Sequence, residues 1–338
     1  MKHRVTLREV AAQAGVSHQT VSEVVNGSDK VAPKTQARVL AAMAKLDYHP
    51  NHAARSMRLS RSLNVAYVVE KPTELADDAM SLILVSLLET LQKASYNLVL
   101  RTISSDSQSQ LEELRGALVQ GRIDGVIFGA IPPSPAVLGM ATWKHPLVFF
   151  DQPSLGDGLA TIWVQYRDGI KQAVQHLAAS GRKRIAFIGG PSEGKMKILH
   201  NLERYAGYRD GLTAVGLKHI KSLEIASDYT IKGGRLAARA LLKRRQRPDA
   251  IVAASDRMAF GALQEIKAHG LEVPHDIALT GFDDFELAQS ADPPLTTVHF
   301  PVDELALQAA RLLIARIEGK TAPSHVPIGV KLVIRGST

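Results

Sequence analysis

Polar residues able to read a base pair crowd one short stretch near the N-terminus, Ser17-His-Gln-Thr-Val-Ser-Glu23. If Ser17 caps a helix, His18 and Gln19 follow at once and Glu23 lies one turn on. All three then face the same side. A glutamine can pair with adenine, and a carboxylate accepts from the cytosine amino group. A second group is spread over the later chain. Asp151 ends the run Leu-Val-Phe-Phe, Arg204 opens Arg-Tyr-Ala-Gly207, and Asp256 follows Ile-Val-Ala-Ala-Ser. A guanidinium and carboxylates around a cleft satisfy several ligand hydroxyls through charge-assisted hydrogen bonds. Helix capping and surface ion pairing are the competing readings of each residue alone. Tyr229 and Phe300 are candidate aromatic platforms, with ordinary core packing as their alternative.

No catalytic set accompanies these groups. Gly189-Gly-Pro-Ser-Glu-Gly-Lys195 fits the phosphate-binding pattern up to its lysine. The pattern then needs Ser or Thr for Mg²⁺, and Met196 stands there. We read a strand-to-helix loop at a cleft mouth. The histidines lack metal-ligand spacing, no G-x-S-x-G elbow occurs, and Asp283-Asp284 at a strand end points its carboxylates apart. With no cysteine in the sequence, disulfides and thiolate metal sites are excluded. We expect no metal and no cofactor. No apolar run spans a bilayer and the N-terminus lacks a signal core, so a soluble cytoplasmic protein with no membrane partner is expected.

The reading residues need a helix, and the surrounding pattern supplies one. Thr6 and Glu9 form a capping box. Leu7, Val10, Ala11 and Ala14 share a face, and Gly15 stops the helix. Val16 plugs the turn, and Val21, Val24 and Val25 face inward. Two helices across a tight turn make a helix-turn-helix. Pro33 suits the first turn of a third helix, with Val39, Leu40, Met43 and Leu46 as its stripe. After Pro50, Asn51 can cap a short basic helix, Asn51–Leu59. Residues 1–62 hold ten Lys/Arg against four Asp/Glu, a net +6 of the chain's +8. A basic head on a nearly neutral body indicates a polyanion for the head alone.

From Leu63 short apolar runs alternate with amphipathic stretches. Expected strands are 64–69, 97–101, 125–128, 147–150, 184–188, 250–253 and 277–280. Expected helices are 80–94, 110–120, 168–179, 202–215, 232–244 and 258–268. Apolar strands between such helices indicate parallel sheets covered on both faces. The pattern runs twice, changing near 161–165. The expected fold is a small all-α helix-turn-helix head plus α/β: two doubly wound parallel-sheet lobes of periplasmic-binding-protein type with a cleft between them. The expected domains are 1–62, the basic helix-turn-helix head with its connector, and 63–338, the two-lobed core. Ligands bind such sheets beyond the carboxyl ends of their strands.

The run Leu7-Arg-Glu-Val-Ala-Ala-Gln-Ala-Gly-Val-Ser17, with Gln19-Thr-Val-Ser22 and Val24-Val-Asn-Gly27, resembles the start of the lac-repressor (LacI/GalR) family of transcription factors. Val31-Ala-Pro-Lys-Thr35, Tyr48-His-Pro-Asn51, Asp256-Arg-Met-Ala-Phe-Gly261, Gly281-Phe-Asp-Asp284 and Pro294-Leu-Thr-Thr-Val298 continue the resemblance in order. It implies a repressor bound to double-stranded operator DNA as a homodimer, with a sugar-like effector in the cleft. It thereby implies a hinge helix in the DNA-binding domain, 1–62, and effector binding and dimerisation in 63–338. Its DNA contacts carry over to Thr6, Ser17, His18, Gln19, Thr20, Ser22, Glu23, Asn26, Asn51, Ala54, Arg55, Met57 and Arg58. In the family the hinge helix enters the minor groove, with Met57 here where leucine is usual. Its effector contacts carry over to Asp151, Arg204 and Asp256, beside the candidate platforms Tyr229 and Phe300. It also implies chain crossovers near 163 and 293, with the tail after about Val326 returning to the second lobe. Glu70–Met80 departs from the family, which points to a different ligand from its usual pentoses and hexoses. A periplasmic solute-binding protein would share the core but leave residues 1–62 unexplained. An enzyme would need the groups that Gly189–Lys195 lacks.

Overall fold

The computed structural model describes residues 5–25, 31–48, 61–76, 78–104, 107–129, 131, 134–156, 158–191 and 199–338. The chain forms two compact units, Met1–Ser62 and Leu63–Thr338. In the first, α1 (Leu7–Ala14), α2 (His18–Val25) and α3 (Pro33–Lys45) enclose Val10, Val21 and Val39, all 0% exposed. The capping box at Thr6 forms as expected, with Glu9 reaching back to the Thr6 amide at 2.7 Å. Gly15 ends α1 at φ 63, a backbone that β-carbon-bearing residues resist. Arg38 of α3 donates to the carbonyls of Ala14 and Gly15, which tethers α3 to the turn. The hinge stretch Asn51–Leu59 lies outside the described residues.

The second unit holds two six-stranded sheets. The strands are β1 (Asn64–Val69), β2 (Asn97–Thr102), β3 (Gly125–Phe128), β4 (Leu147–Phe150), β5 (Ala160–Val164), β6 (Ile185–Gly189), β7 (Glu224–Ala226), β8 (Ala250–Ala253), β9 (Ala278–Asp283), β10 (Thr296–His299), β11 (His325–Ile328) and β12 (Lys331–Val333). The first sheet runs β11-β5-β4-β3-β1-β2 and the second β12-β10-β9-β8-β6-β7. All pairs are parallel except β10 with β12. The longer helices are α4 (Asp78–Lys93), α5 (Gln108–Val119), α6 (Tyr166–Ala179), α7 (Leu199–Ala214), α8 (Ile231–Leu242), α9 (Asp256–Ala268) and α10 (Val302–Ile317). β3 and β4 are wholly buried runs, as strands covered on both faces must be.

The first crossover falls where expected: β5 ends the first lobe and α6 opens the second. The second is displaced. The chain stays in the second lobe through β10 and crosses at 300–302, not near 293, since α10 packs on α4 and on β3 to β5. The crossover near 293 came from the family resemblance, and the polar strand Thr-Thr-Val-His, which keeps the chain in the second lobe, was not legible as a strand. The tail does return to the second lobe as expected, but after Ile328 and not after about Val326. β11 pairs with β5 in the first lobe, and only β12 lies in the second.

Candidate DNA-reading face and interlobe site

In the head, Ser17 Oγ accepts from the Thr20 amide at 3.1 Å and so starts α2. Ser17, His18 and Gln19 are exposed, and Thr20, Ser22 and Glu23 are half-buried along the same helix. Gln19 Nε2 donates to Glu23 Oε1 at 3.4 Å, so the two share one face. Thr6 is exposed at its cap. Asn26, Asn51, Ala54, Arg55, Met57 and Arg58 lie outside the described residues.

In the core, Asp151 follows β4 in the first lobe with a left-handed backbone, φ 54. Its Oδ2 lies 2.8 Å from His200 Nδ1 on α7 of the second lobe, while its buried Oδ1 has no hydrogen-bond partner. One turn after His200, Arg204 is only 6% exposed. Its guanidinium carbon sits 4.2 Å from the centre of the Tyr166 ring and 4.7 Å from that of Phe282. Nη1 donates to the Tyr229 hydroxyl at 3.3 Å, and Nε is buried without a partner. Burial works against the charge, but Tyr229, Tyr166, Asp283 and Asp151 more than restore it, and the guanidinium stays firmly protonated. Burial, then the Asp151 charge, push the Tyr166 phenol well above its usual range. The Tyr229 hydroxyl donates to Asn201, whose amide in turn holds the Pro191 carbonyl. Gln152, 3% exposed, holds the Ile131 carbonyl and leaves Oε1 unsatisfied.

This is a basic centre in an aromatic box, with the Asp151 carboxylate beside it and one buried Asp151 oxygen unpartnered. A buried polar group without a partner costs stability unless a ligand or water completes it. Of the candidates named from sequence, Asp151, Arg204 and Tyr229 meet here. Phe300 joins them through Tyr166, with ring centres 6.3 Å apart, and is itself 7% exposed.

Asp256 has another place in this structure. It is 1% exposed, and its oxygens accept from Thr297 Oγ1 at 2.6 Å and from the amides of Asp284 and Phe285. It pins the Gly281–Asp284 turn to the start of α9, so it shapes the cleft wall rather than presenting a free carboxylate. Its own helix is capped by Ser255. Asp284 is tied to Arg335 and to His299 and is structural, whereas Asp283 lies close enough to Arg204 and Tyr229 to act on both.

Sequence reading missed Tyr166, His200 and Gln152. His200 precedes Arg204 by four residues, the spacing that places two side chains on one helical face, and that signal could have found it. Gly190 and Pro191 are described, and a β-carbon on Gly190 would collide with the Tyr229 ring. The space at that turn is therefore taken by an aromatic side chain. Residues 192–198, with Lys195 and Met196, lie outside the described residues. Among the described residues no His/Asp/Glu group is arranged to hold a metal ion, and no helix is long and apolar enough to cross a membrane.

An exposed polar second helix on a three-helix head, and an unsatisfied guanidinium in the cleft of a two-lobed core, define a DNA-binding regulator with a ligand-binding body. Residues 6–51 match the model of bacterial regulatory proteins of the lacI family, and residues 174–338 match a periplasmic binding protein-like domain. The chain belongs to the LacI family of transcriptional regulators, whose members here are regulators and not enzymes. It is 36% identical over 347 residues to the HTH-type transcriptional regulator CelR of Thermobifida fusca, covering 99% of each chain. It is 30% identical to catabolite control protein A of Priestia megaterium, covering 95% of each. Among solved structures, a CelR–cellobiose complex matches 99% of this chain and 100% of its own at 34% identity, TM-score 0.71. The lac repressor dimer bound to operator and the anti-inducer ONPF covers 99% of each chain at 29% identity, TM-score 0.80.

Proposed function

We propose that this protein is a ligand-responsive, sequence-specific repressor that binds a near-palindromic operator as a dimer and takes a sugar-type effector between its lobes. The observation that carries the reading is the meeting of two unsatisfied groups from the two lobes, Arg204 Nε and Asp151 Oδ1, with the Asp151 charge close enough to act on the guanidinium. Donors and acceptors around aromatic faces suit a ring carrying several hydroxyls. A disaccharide is the first class to test, since a relative is seen with cellobiose and the segment after β1 departs from the pentose- and hexose-binding pattern. Base reading falls to His18, Gln19 and Glu23, with Thr6, Ser17, Thr20, Ser22 and Asn26 around them. Asn51, Ala54, Arg55, Met57 and Arg58 serve the hinge.

Dimerisation has support in exposed apolar side chains on one helix: Leu82, Val85 and Leu88 of α4 are 43%, 53% and 39% exposed. Contiguous exposed apolar surface marks an interaction site. Acting on chromosomal DNA places the protein in the cytoplasm. The test is a mobility shift with genomic fragments, with and without cellobiose and a panel of other sugars. We expect a discrete complex whose affinity one sugar changes by at least tenfold. Equal retardation of all fragments, or no sugar effect on any complex, would refute the reading.

A further inference from the structure

Among the described residues an Arg–Asp ion pair and a His–Asp hydrogen bond cross between the lobes. Arg257 of α9 meets Asp78 of α4 at 3.5 Å, with side chains 42% and 56% exposed. A pair so open to water contributes little. His200 meets Asp151 at 2.8 Å, with side chains only 16% and 13% exposed. The second contact therefore dominates. We infer that His200 is the positioning residue of the effector site: by bridging from α7 to Asp151 across the cleft, it holds the lobes together and aims the free Asp151 oxygen at the ligand.

Three observations support this. First, the carboxylate is divided. Oδ2 is taken by His200, the Tyr166 phenol lies beside the same carboxylate, and the buried Oδ1 has no geometric hydrogen-bond partner, so an effector hydroxyl can use Oδ1 without displacing the histidine. Second, the imidazole is held on both sides. Its ring lies 5.5 Å from that of Tyr166, and Tyr166 packs on Arg204. One cluster thus fixes the bridging residue and the ligand-facing guanidinium together. Third, the two partners sit on separate bodies, Asp151 after β4 of the first sheet and His200 on a helix of the second lobe. The bond exists only when the lobes meet, so its energy enters the open–closed equilibrium directly. A ligand shifts that equilibrium only by its preference for one state, and His200 sets where the equilibrium starts.

The inference rests on reading the cleft as the effector site, and the test separates the two. The sequence has no cysteine, so Gln120→Cys on the first lobe and Lys218→Cys on the second give the full chain one unambiguous spin-label pair per protomer. Labelled protein is diluted into unlabelled protein, and the interlobe distance is read by pulsed electron paramagnetic resonance without any ligand. His200→Leu should add a longer distance. His200→Asn, whose amide nitrogen can stand near Nδ1, should restore the narrow distribution. Asp151→Asn combined with His200→Leu should change it no more than the larger single effect. In the second arm, cellobiose binding is titrated by calorimetry. Loss of a hydrogen bond to a charged group predicts about tenfold weaker binding for His200→Leu, recovered in His200→Asn. A His200→Leu distance distribution identical to the parent overturns the inference, whatever the sugar does. A distance change without cellobiose binding supports the bridge and counts against cellobiose as the effector.

Discussion

Single residues divide the work sharply in this chain, and Glu23 shows how. It lies on the face of α2 proposed to read bases, where Gln19 Nε2 donates to its carboxylate at 3.4 Å. A carboxylate here favours cytosine's amino group and repels phosphate, where the family commonly carries arginine, which favours guanine. Glu23→Arg should raise affinity for random DNA and change the preferred base at one position per half-site, by about 1–3 kcal/mol of discrimination. Selection from a random library with both proteins checks this; the same motif from each would remove Glu23 from the readers. Asp256 makes the complementary point about burial. Burial pushes its carboxyl up to about 7, although Thr297 and two amides bond to it. A carboxyl raised in the folded state binds its proton more tightly there than when unfolded. Its contribution is therefore full below the unfolded value near pH 4 and is lost as pH rises through about 7. Asp256→Asn removes that titration. Calorimetric melting temperature plotted from pH 4 to pH 8 should fall less steeply in the variant than in the parent. Parallel curves would show that Asp256 does not titrate in this range.

At the scale of elements, legibility followed from how much local chemistry each one carries. The head was readable because caps, stop signal and apolar stripe agree within twenty residues. The buried strands β1, β3, β4 and β8 were readable because covered parallel strands are continuous apolar runs. What failed were β5, β7, β10, β11 and β12; the last four have three or four residues each with polar members, and their strand state is imposed by sheet neighbours rather than by their own pattern, whereas β5 is an apolar run that was passed over where the pattern changes lobes. α10 also went unread. Half of the cleft was legible for a related reason. Asp151 and Arg204 stand next to strong local signals, whereas Tyr166 gains its role only when the fold brings Asp151 and Arg204 around its ring. The capping box gives a direct element-scale prediction. Thr6→Ala should destabilise α1 by about 1 kcal/mol, seen as faster amide exchange confined to the helices of the head. Unchanged exchange in α1 would mean that Arg38 and the apolar face hold the helix without its cap.

At the scale of the molecule, the uneven charge and the two-lobed body make separate demands. The net +6 of residues 1–62 predicts operator affinity that falls steeply with salt, because phosphate neutralisation releases counterions. Effector binding by the nearly neutral core should respond far less. Measuring both constants between 50 mM and 200 mM salt, the interval over which phosphate-dominated affinities drop by orders of magnitude, separates them. A flat operator response would contradict the charge argument.

The remaining prediction joins the two units through energy alone. An effector in the cleft can alter DNA binding only by preferring one arrangement of the lobes, and reciprocity requires that operator DNA alter effector affinity by the same factor. Arg204 is the residue through which that preference should be felt, since its guanidinium packs on Tyr166 and faces Asp151 of the opposite lobe. Arg204→Lys keeps the charge but loses the planar donor fork and its stacking on the rings, so it should bind effector at least tenfold more weakly. Arg204→Ala should abolish the response. The decisive quantity is the ratio of operator affinities with and without saturating effector, together with the ratio of effector affinities with and without operator. Equal ratios in the parent, both collapsing towards one in Arg204→Ala, support a switch that runs through this cleft. A parent-like ratio in Arg204→Ala at the same effector concentration would place the regulatory site elsewhere.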